Sequence, residues 1–241
     1  MNHCAVLLAT WLLLISAAPA RGETLQIGRA ANSALADIAE TVVDEAGRRA
    51  GVQFVYQKMP LPRSISIANE GELDGDLMRI RSVAVQYPQL MLVPTSIIAA
   101  DLGVYGTAGT LQQSSRADIE TMTIGIPRGV PVLRKYTQGL QVVEAQNYAS
   151  LFEMLRAHRF DVVVMTQVDA DAVLKAQAFD GLMRWPYAWA TEPLYFLLNR
   201  KHAEIAARLD RALATMAREG LIRKYYLDGL RKNNIDPLPA R

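Results

Sequence analysis

Apolar and polar positions alternate in two blocks with the same order. Residues 25–27 read as a short strand, and Asn32 or Ser33 can cap the helix after it. Leu35, Ile38, Ala39, Val42, Val43 and Ala46 recur there at helical spacing, and Gly47 and Gly51 close the run. Residues 52–56 (VQFVY) are β-rich and end at Pro60 and Pro62. A second short helix over 63–70 stops at Gly71, and 73–80 then predict a buried strand. This β-α-β-α-β order is the unit of a parallel sheet with helical crossovers.

The second block begins after a joining region. Residues 82–89 read as a loop or broken helix interrupted by Pro88, while 90–93 and 97–105 are apolar and extended. Residues 111–121 are a polar connector with a short helix. Residues 123–131 (TIGIPRGVP) then give a strand, a glycine turn and a helix start, with Pro131 suited to a first helical turn. A strand over 140–143, a helix over 148–158, a continuous apolar strand over 160–165 (FDVVVM) and a helix over 169–178 follow. Residues 185–198 are aromatic and extended, the expected return crossover. The helix over 201–219 carries Ile205, Leu209, Leu213 and Met216 on one stripe; another spans 221–230, and residues 231–241 read as a loose tail.

Size and composition narrow the class. A chain of 241 residues, 51% hydrophobic and 21% charged, suffices for one large domain or two lobes with separate cores. Its 26 basic and 24 acidic residues leave a net charge of +2 with no basic run, so nothing suggests a nucleic-acid groove or a polybasic membrane patch. Residues 5–16 are an unbroken apolar run too short for a comfortable membrane span. Ala18-Pro19-Ala20 follows as a small-x-small cleavage pattern, so residues 1–20 read as a signal peptide and the mature chain as periplasmic. The weak basic character of MNHC leaves a retained membrane anchor as the alternative. Cys4, the only cysteine, would leave with the leader, so a disulfide or thiolate metal site is not expected.

The candidate chemistry centres on residues 69–81 (NEGELDGDLMRIR). Asp74, Gly75 and Asp76 are poor strand formers, yet Arg79 and Arg81 fall where the strand should end. Ligands bind at the carboxyl ends of strands in open α/β sheets, and arginine offers carboxylates and phosphates a rigid donor fork. Arg79 is therefore the first candidate anion anchor and Arg63 and Arg81 the next, against the plainer reading of solvated surface arginines. Arg128 with the amides of Gly129 and Val130 opens a helix and can receive an anion, or is an ordinary strand–helix turn. Thr166 can donate a hydroxyl from a strand end. Tyr105, Trp185 and Trp189 can line a cleft or pack a hinge. Asp74 and Asp76 read as turn residues more readily than as a catalytic pair. His158 and His202 have no carboxylate at ligand spacing, and Ser64 and Ser66 lie in no nucleophile elbow, so no metal, cofactor or catalytic residue is expected.

The pattern from Pro62 and Arg63 through GELDG, together with IGIPRGVP, YASLFEMLRAHRFDVVV and AARLDRALATMAREGLIRKYY, resembles the family 3 periplasmic solute-binding proteins, the amino-acid-binding type. The resemblance spans about residues 24–230. It implies an α/β fold of type II with two lobes, each a mainly parallel sheet flanked by helices, joined by two crossovers that act as a hinge. The expected lobes are 24–98 with 195–230, and 103–188. The chain departs from the family between its first strand and first helix, where an aromatic-bearing segment is absent. Thr166 also stands where an ammonium-binding aspartate is usual, five residues after Asp161. The leading expectation is a monomeric, non-catalytic protein that captures a small anionic or zwitterionic solute for an ABC permease or a membrane sensor. The alternatives are a signalling partner with weak or no ligand binding and, behind it, a dehydratase-like enzyme on the same scaffold.

Overall fold

The computed structural model describes residues 23–177 and 179–238, so the expected leader over 1–20 lies outside the described residues. The first strand, β1 (Glu23–Ala30), runs parallel to β2 (Val52–Met59) and to β3 (Gly75–Arg79). Helices α1 (Ala34–Ala50) and α2 (Leu61–Glu70) make the crossovers. Ser33 caps α1 by accepting from the Ala36 amide, and Gly51 ends it in the left-handed conformation, φ 72°. The apolar stripe of α1 is buried from Leu35 to Ala50.

β3 forms despite its composition because its neighbours hold it. It lies between β1 and β10 (Ala190–Asn199), which passes it antiparallel. A Cβ on Gly75 would stand 2.3 Å from the Leu197 carbonyl oxygen, so only glycine admits this approach. A short helix α3 (Arg81–Ala84) and strand β4 (Leu90–Leu92) follow, β4 pairing with β10.

β5 (Ile98–Thr107) and β10 are the two crossovers. They pair antiparallel from Ile98↔Leu194 to Leu102↔Ala190, and β5 then continues into the second lobe along β8 (Val162–Thr166). There the sheet runs β5-β8-β6-β7, with β6 (Ile124–Pro127) parallel to both β8 and β7 (Val142–Ala145). A further strand, β9 (Leu182–Arg184), joins β5. Helices α4 (Ala108–Leu111), α5 (Arg116–Glu120), α6 (Pro131–Tyr136), α7 (Tyr148–Arg156) and α8 (Gln167–Gln177) complete this lobe. All five β8 residues are buried, as its unbroken apolar run requires. The chain is thus a two-lobed α/β protein with mainly parallel sheets and two crossovers.

Several boundaries differ from the sequence expectation. α8 starts at Gln167, directly after β8, and β7 lies two residues later than expected. Lys201 falls in a 3-10 turn before α9 (Ala203–Arg218). α9 and α10 (Leu221–Lys232) both pack on α1. The expected loose tail is held at its start: α10 continues to Lys232, Ile235 is buried, and the Gln167 side-chain amide donates to the Asp236 carbonyl at 2.6 Å.

Candidate ligand cleft

The carboxyl ends of four parallel strands converge between the lobes. Ala30 of β1 and Arg79 of β3 face Pro127 of β6 and Thr166 of β8 across a narrow cavity of about 50 Å3. Its walls are largely aliphatic, with Leu61, Met78 and Ile80 on one side and Val130, Val132 and Leu133 on the other. It continues into a wider groove of about 510 Å3, sharing Leu61, Arg79, Val83 and Pro131. Arg128, Gly129 and Arg134 line that groove from the second lobe, and Pro62, Ile65 and Tyr87 from the first. Gly129, φ 75°, abuts the first lobe closely: a Cβ there would stand 3.2 Å from Pro62 Cγ.

Arg79 ends β3 and is buried. Its Nη2 donates to Asp76 Oδ2 at 2.7 Å and to the Leu61 carbonyl at 3.1 Å, and Nη1 to the Met78 carbonyl at 2.7 Å. Asp76 Oδ2 also accepts from Ser64 Oγ at 2.6 Å, while Asp76 Oδ1 is buried with no hydrogen-bond partner. Burial pushes the Asp76 carboxyl up and the Arg79 guanidinium down, and each partner's charge opposes the other's shift. Arg79 therefore enters the cleft with its charge already balanced by Asp76.

The outer groove carries charge of a different kind. Glu144 Oε1 accepts from Arg134 Nη2 at 2.7 Å, and Glu144 Oε2 lies 3.6 Å from Arg128 Nε. Both arginines remain more than half exposed. One carboxylate facing two guanidiniums leaves a net positive charge at the mouth.

A buried carboxylate, Asp169, in the first turn of α8, also lines the cleft. Its Oδ2 accepts from Thr166 Oγ1 at 2.7 Å. Across the cleft, its Oδ1 accepts from Ser33 Oγ at 3.0 Å and from the Leu35 backbone amide at 3.0 Å. Burial raises the Asp169 carboxyl above the usual carboxylate range, and these donors oppose the rise. Ser33 is held in turn, since buried Arg29 donates to the Ser33 carbonyl at 3.1 Å while pairing with Asp37 at 2.6 Å and Glu40 at 2.5 Å.

The structure thus brings Arg79, Arg128, Gly129, Val130 and Thr166 to one cleft. Arg63 is exposed and lines neither cavity, and Arg81 is exposed with its guanidinium 4.6 Å over the Tyr195 ring. Tyr105 points away from the cleft lining: it is fully buried, 5.9 Å edge-on to Phe152, and donates to Asp171 Oδ1 at 2.8 Å. Trp185 and Trp189 are buried hinge residues whose indoles donate to the Ser114 and Tyr136 carbonyls. α6 is only six residues long and begins with Pro131, which has no backbone N–H to offer, so the anion-receiving turn expected there is weakened. Among the described residues no group of three His, Cys, Asp or Glu side chains is placed to hold a metal. No helix of the described residues is long and apolar enough to cross a membrane.

No family model matches the chain. It is 22% identical over 195 residues to an uncharacterized protein of Shewanella oneidensis, covering 78% of this chain and 74% of that one. Its fold matches a histidine kinase sensor domain with similarity to periplasmic binding proteins: TM-score 0.71 and 14% identity, over 87% of this chain and 97% of the sensor domain. It also matches an amino acid ABC transporter substrate-binding protein from Streptococcus pneumoniae bound to L-arginine: TM-score 0.66 and 12% identity, covering 89% and 97% of the two chains. The chain has the periplasmic-binding-protein-like fold.

Proposed function

We propose that this chain is a non-catalytic receptor for a small anionic or zwitterionic solute, captured in the interlobe cleft and reported to an ABC permease or a membrane sensor. The observation that carries the reading is the continuity of the cleft. An aliphatic chamber ending at Thr166 and Asp169 opens into a groove rimmed by Arg128 and Arg134, with Arg79 lining both. A small solute seated in the outer groove of about 510 Å3 fits that gradient, its apolar part against Leu61, Val83 and Pro131 and its anionic group toward the arginines. Similarity in fold to an arginine-bound transport protein and to a kinase sensor domain supports a binding role. Arg79 serves as a secondary anchor, since its link to Asp76 has already neutralised it.

The reading is tested by thermal denaturation of refolded, ligand-free protein against amino acids, dicarboxylates and aromatic acids. A solute at about 100 times its dissociation constant adds roughly 2.7 kcal/mol of stability. A screen in which no such compound shifts the transition, supported by calorimetry at millimolar solute, sinks it.

A signalling partner with weak solute affinity is the second reading. It is favoured by the Asp169–Ser33 contact, which joins the lobes with nothing between them.

A further inference from the structure

We propose that Asp169 is a built-in clasp that closes the two lobes on each other without any solute. This goes beyond solute capture, because the clasp needs only groups of the chain itself. Asp169 belongs to the second lobe, on the first turn of α8, whereas Ser33 and Leu35 open α1 in the first lobe, more than 130 residues away in sequence.

The seat is built to hold a carboxyl group. The Leu35 amide is one of the first-turn N–H groups of α1 that have no partner within the helix, and it donates to Asp169 Oδ1. Ser33 Oγ accepts from the Ala36 amide, so its own hydrogen is directed to Asp169. Thr166 Oγ1 donates to the other carboxyl oxygen from within the second lobe, which fixes the Asp169 side chain before closure. On the first-lobe side the strand-to-helix turn is short and pinned, since Arg29 grips the Ala30 and Ser33 carbonyls as well as Asp37 and Glu40. Both sides of the contact are therefore rigid before they meet, and little side-chain freedom is lost on closing.

The clasp has a consequence for binding. A carboxyl tethered to α8 reaches the start of α1 at a high effective concentration, set by the hinge rather than by bulk solute. A free solute must either leave the contact in place and fill the remaining cavity, or displace it. The clasp thus places the unliganded protein in the closed population, whereas an open-resting receptor would be driven there only by its ligand.

The test uses no solute, so its failure leaves the solute-receptor reading standing. Val55 on β2 and Val142 on β7 are exposed and lie on the outermost strands of the two lobes. Protein carrying Cys4→Ser, Val55→Cys and Val142→Cys is spin-labelled and the interlobe distance distribution recorded on refolded, ligand-free material. The clasp predicts one narrow population at the closed separation. Asp169→Ala should shift the closed-to-open ratio about tenfold or more toward longer distances. Ser33→Gly, which keeps a tolerated N-cap but removes the hydroxyl, should shift it in the same direction by less; it decides the matter if Asp169→Ala fails to fold. A parent protein that rests at the longer distance overturns the clasp, as does a closed population unchanged in whichever of the two variants folds.

Discussion

Asp76 and Arg79 stand three residues apart on one buried strand and pair at 2.7 Å, with 0% and 5% of their side chains exposed. Successive residues of a strand point to opposite faces, so a pair at this spacing needs a distorted end. The register between β3 and β10 shifts at that point, between Tyr195 and Leu197. The shift lets Arg79 fold back over Asp76 while its remaining donors grip the Leu61 and Met78 carbonyls. A buried arginine thereby joins the start of α2 to the end of β3, at the lip of the cleft.

Removing one member of this pair leaves the other buried and uncompensated. Arg79→Ala should lose about 3–5 kcal/mol of stability in urea denaturation, and Asp76→Ala a comparable amount. Arg79→Met with Asp76→Leu should recover part of the loss, because the apolar pair leaves no orphaned charge. Single variants within about 1 kcal/mol of the parent would show that the pair is solvated in solution. Any loss of solute affinity in Arg79→Ala must therefore be read only after its folding is verified.

Gly75 is a packing constraint that a single methyl tests. Its Cβ would meet the backbone oxygen of Leu197 at 2.3 Å, and a carbonyl in a paired strand has nowhere to go. Gly75→Ala should cost about 1–3 kcal/mol and loosen the β3–β10 pairing, seen as faster amide exchange on both strands. Unchanged stability and exchange would place β10 farther from β3.

The pH dependence of closure follows from Asp169. Burial raises its carboxyl in the closed form, and opening returns it to water and to its ordinary value. A group whose value is raised on closing binds its proton more tightly in the closed form. Closure is therefore favoured most below the ordinary carboxylate value and weakens as pH rises through the raised one. The groups facing Asp169 are Ser33 and Leu35 of the first lobe, Thr166 beside it, and Tyr148 of α7, whose hydroxyl burial and Asp169 hold protonated. The labelled protein should thus show its largest closed fraction at the acid end of a series from about pH 4 to about pH 8. Asp169→Asn, which can accept from the Leu35 amide and donate to a hydroxyl, should stay closed and lose the pH slope. A slope that persists in Asp169→Asn assigns it to another group.

Much of the fold was legible because local signals and burial agree. The Ser33 cap, the Leu35–Ala46 stripe, Gly51 and the five apolar residues of β8 each announce their element, and each forms. β3 was legible only through its neighbours, since Asp76 is a poor strand former and is tolerated there by Arg79 and Ser64. The site was half legible. Arg79, Arg128 and Thr166 sit at strand ends, where topology directs attention. Asp169 carries a direct contact between the lobes but reads in sequence as an ordinary acidic residue in the first turn of a helix. Its partners lie 134 and 136 residues away, a distance no local pattern encodes. Tyr105 misled because an aromatic in a crossover is equally suited to a cleft or a core, and burial against Phe152 decided for the core.

The anion should be read at the mouth by Arg128 and Arg134 more than by Arg79. Arg79 is already neutralised by Asp76, whereas the two outer arginines share the single carboxylate of Glu144. Exposed charges act through water, so each contributes only about 0.2–1 kcal/mol, or up to roughly fivefold in affinity. Arg128→Ala with Arg134→Ala should therefore weaken an anionic solute by about several-fold up to thirtyfold, mostly in association rate, with the difference fading at high salt. Glu144→Gln should act oppositely and tighten the same solute, because it frees both guanidiniums. Arg223, exposed on α10, serves as the control. The measurement is calorimetry and stopped-flow binding with the best anionic compound from the thermal screen. If Glu144→Gln weakens binding, or the double arginine variant matches Arg223→Ala, the anionic group of the solute does not sit at this mouth.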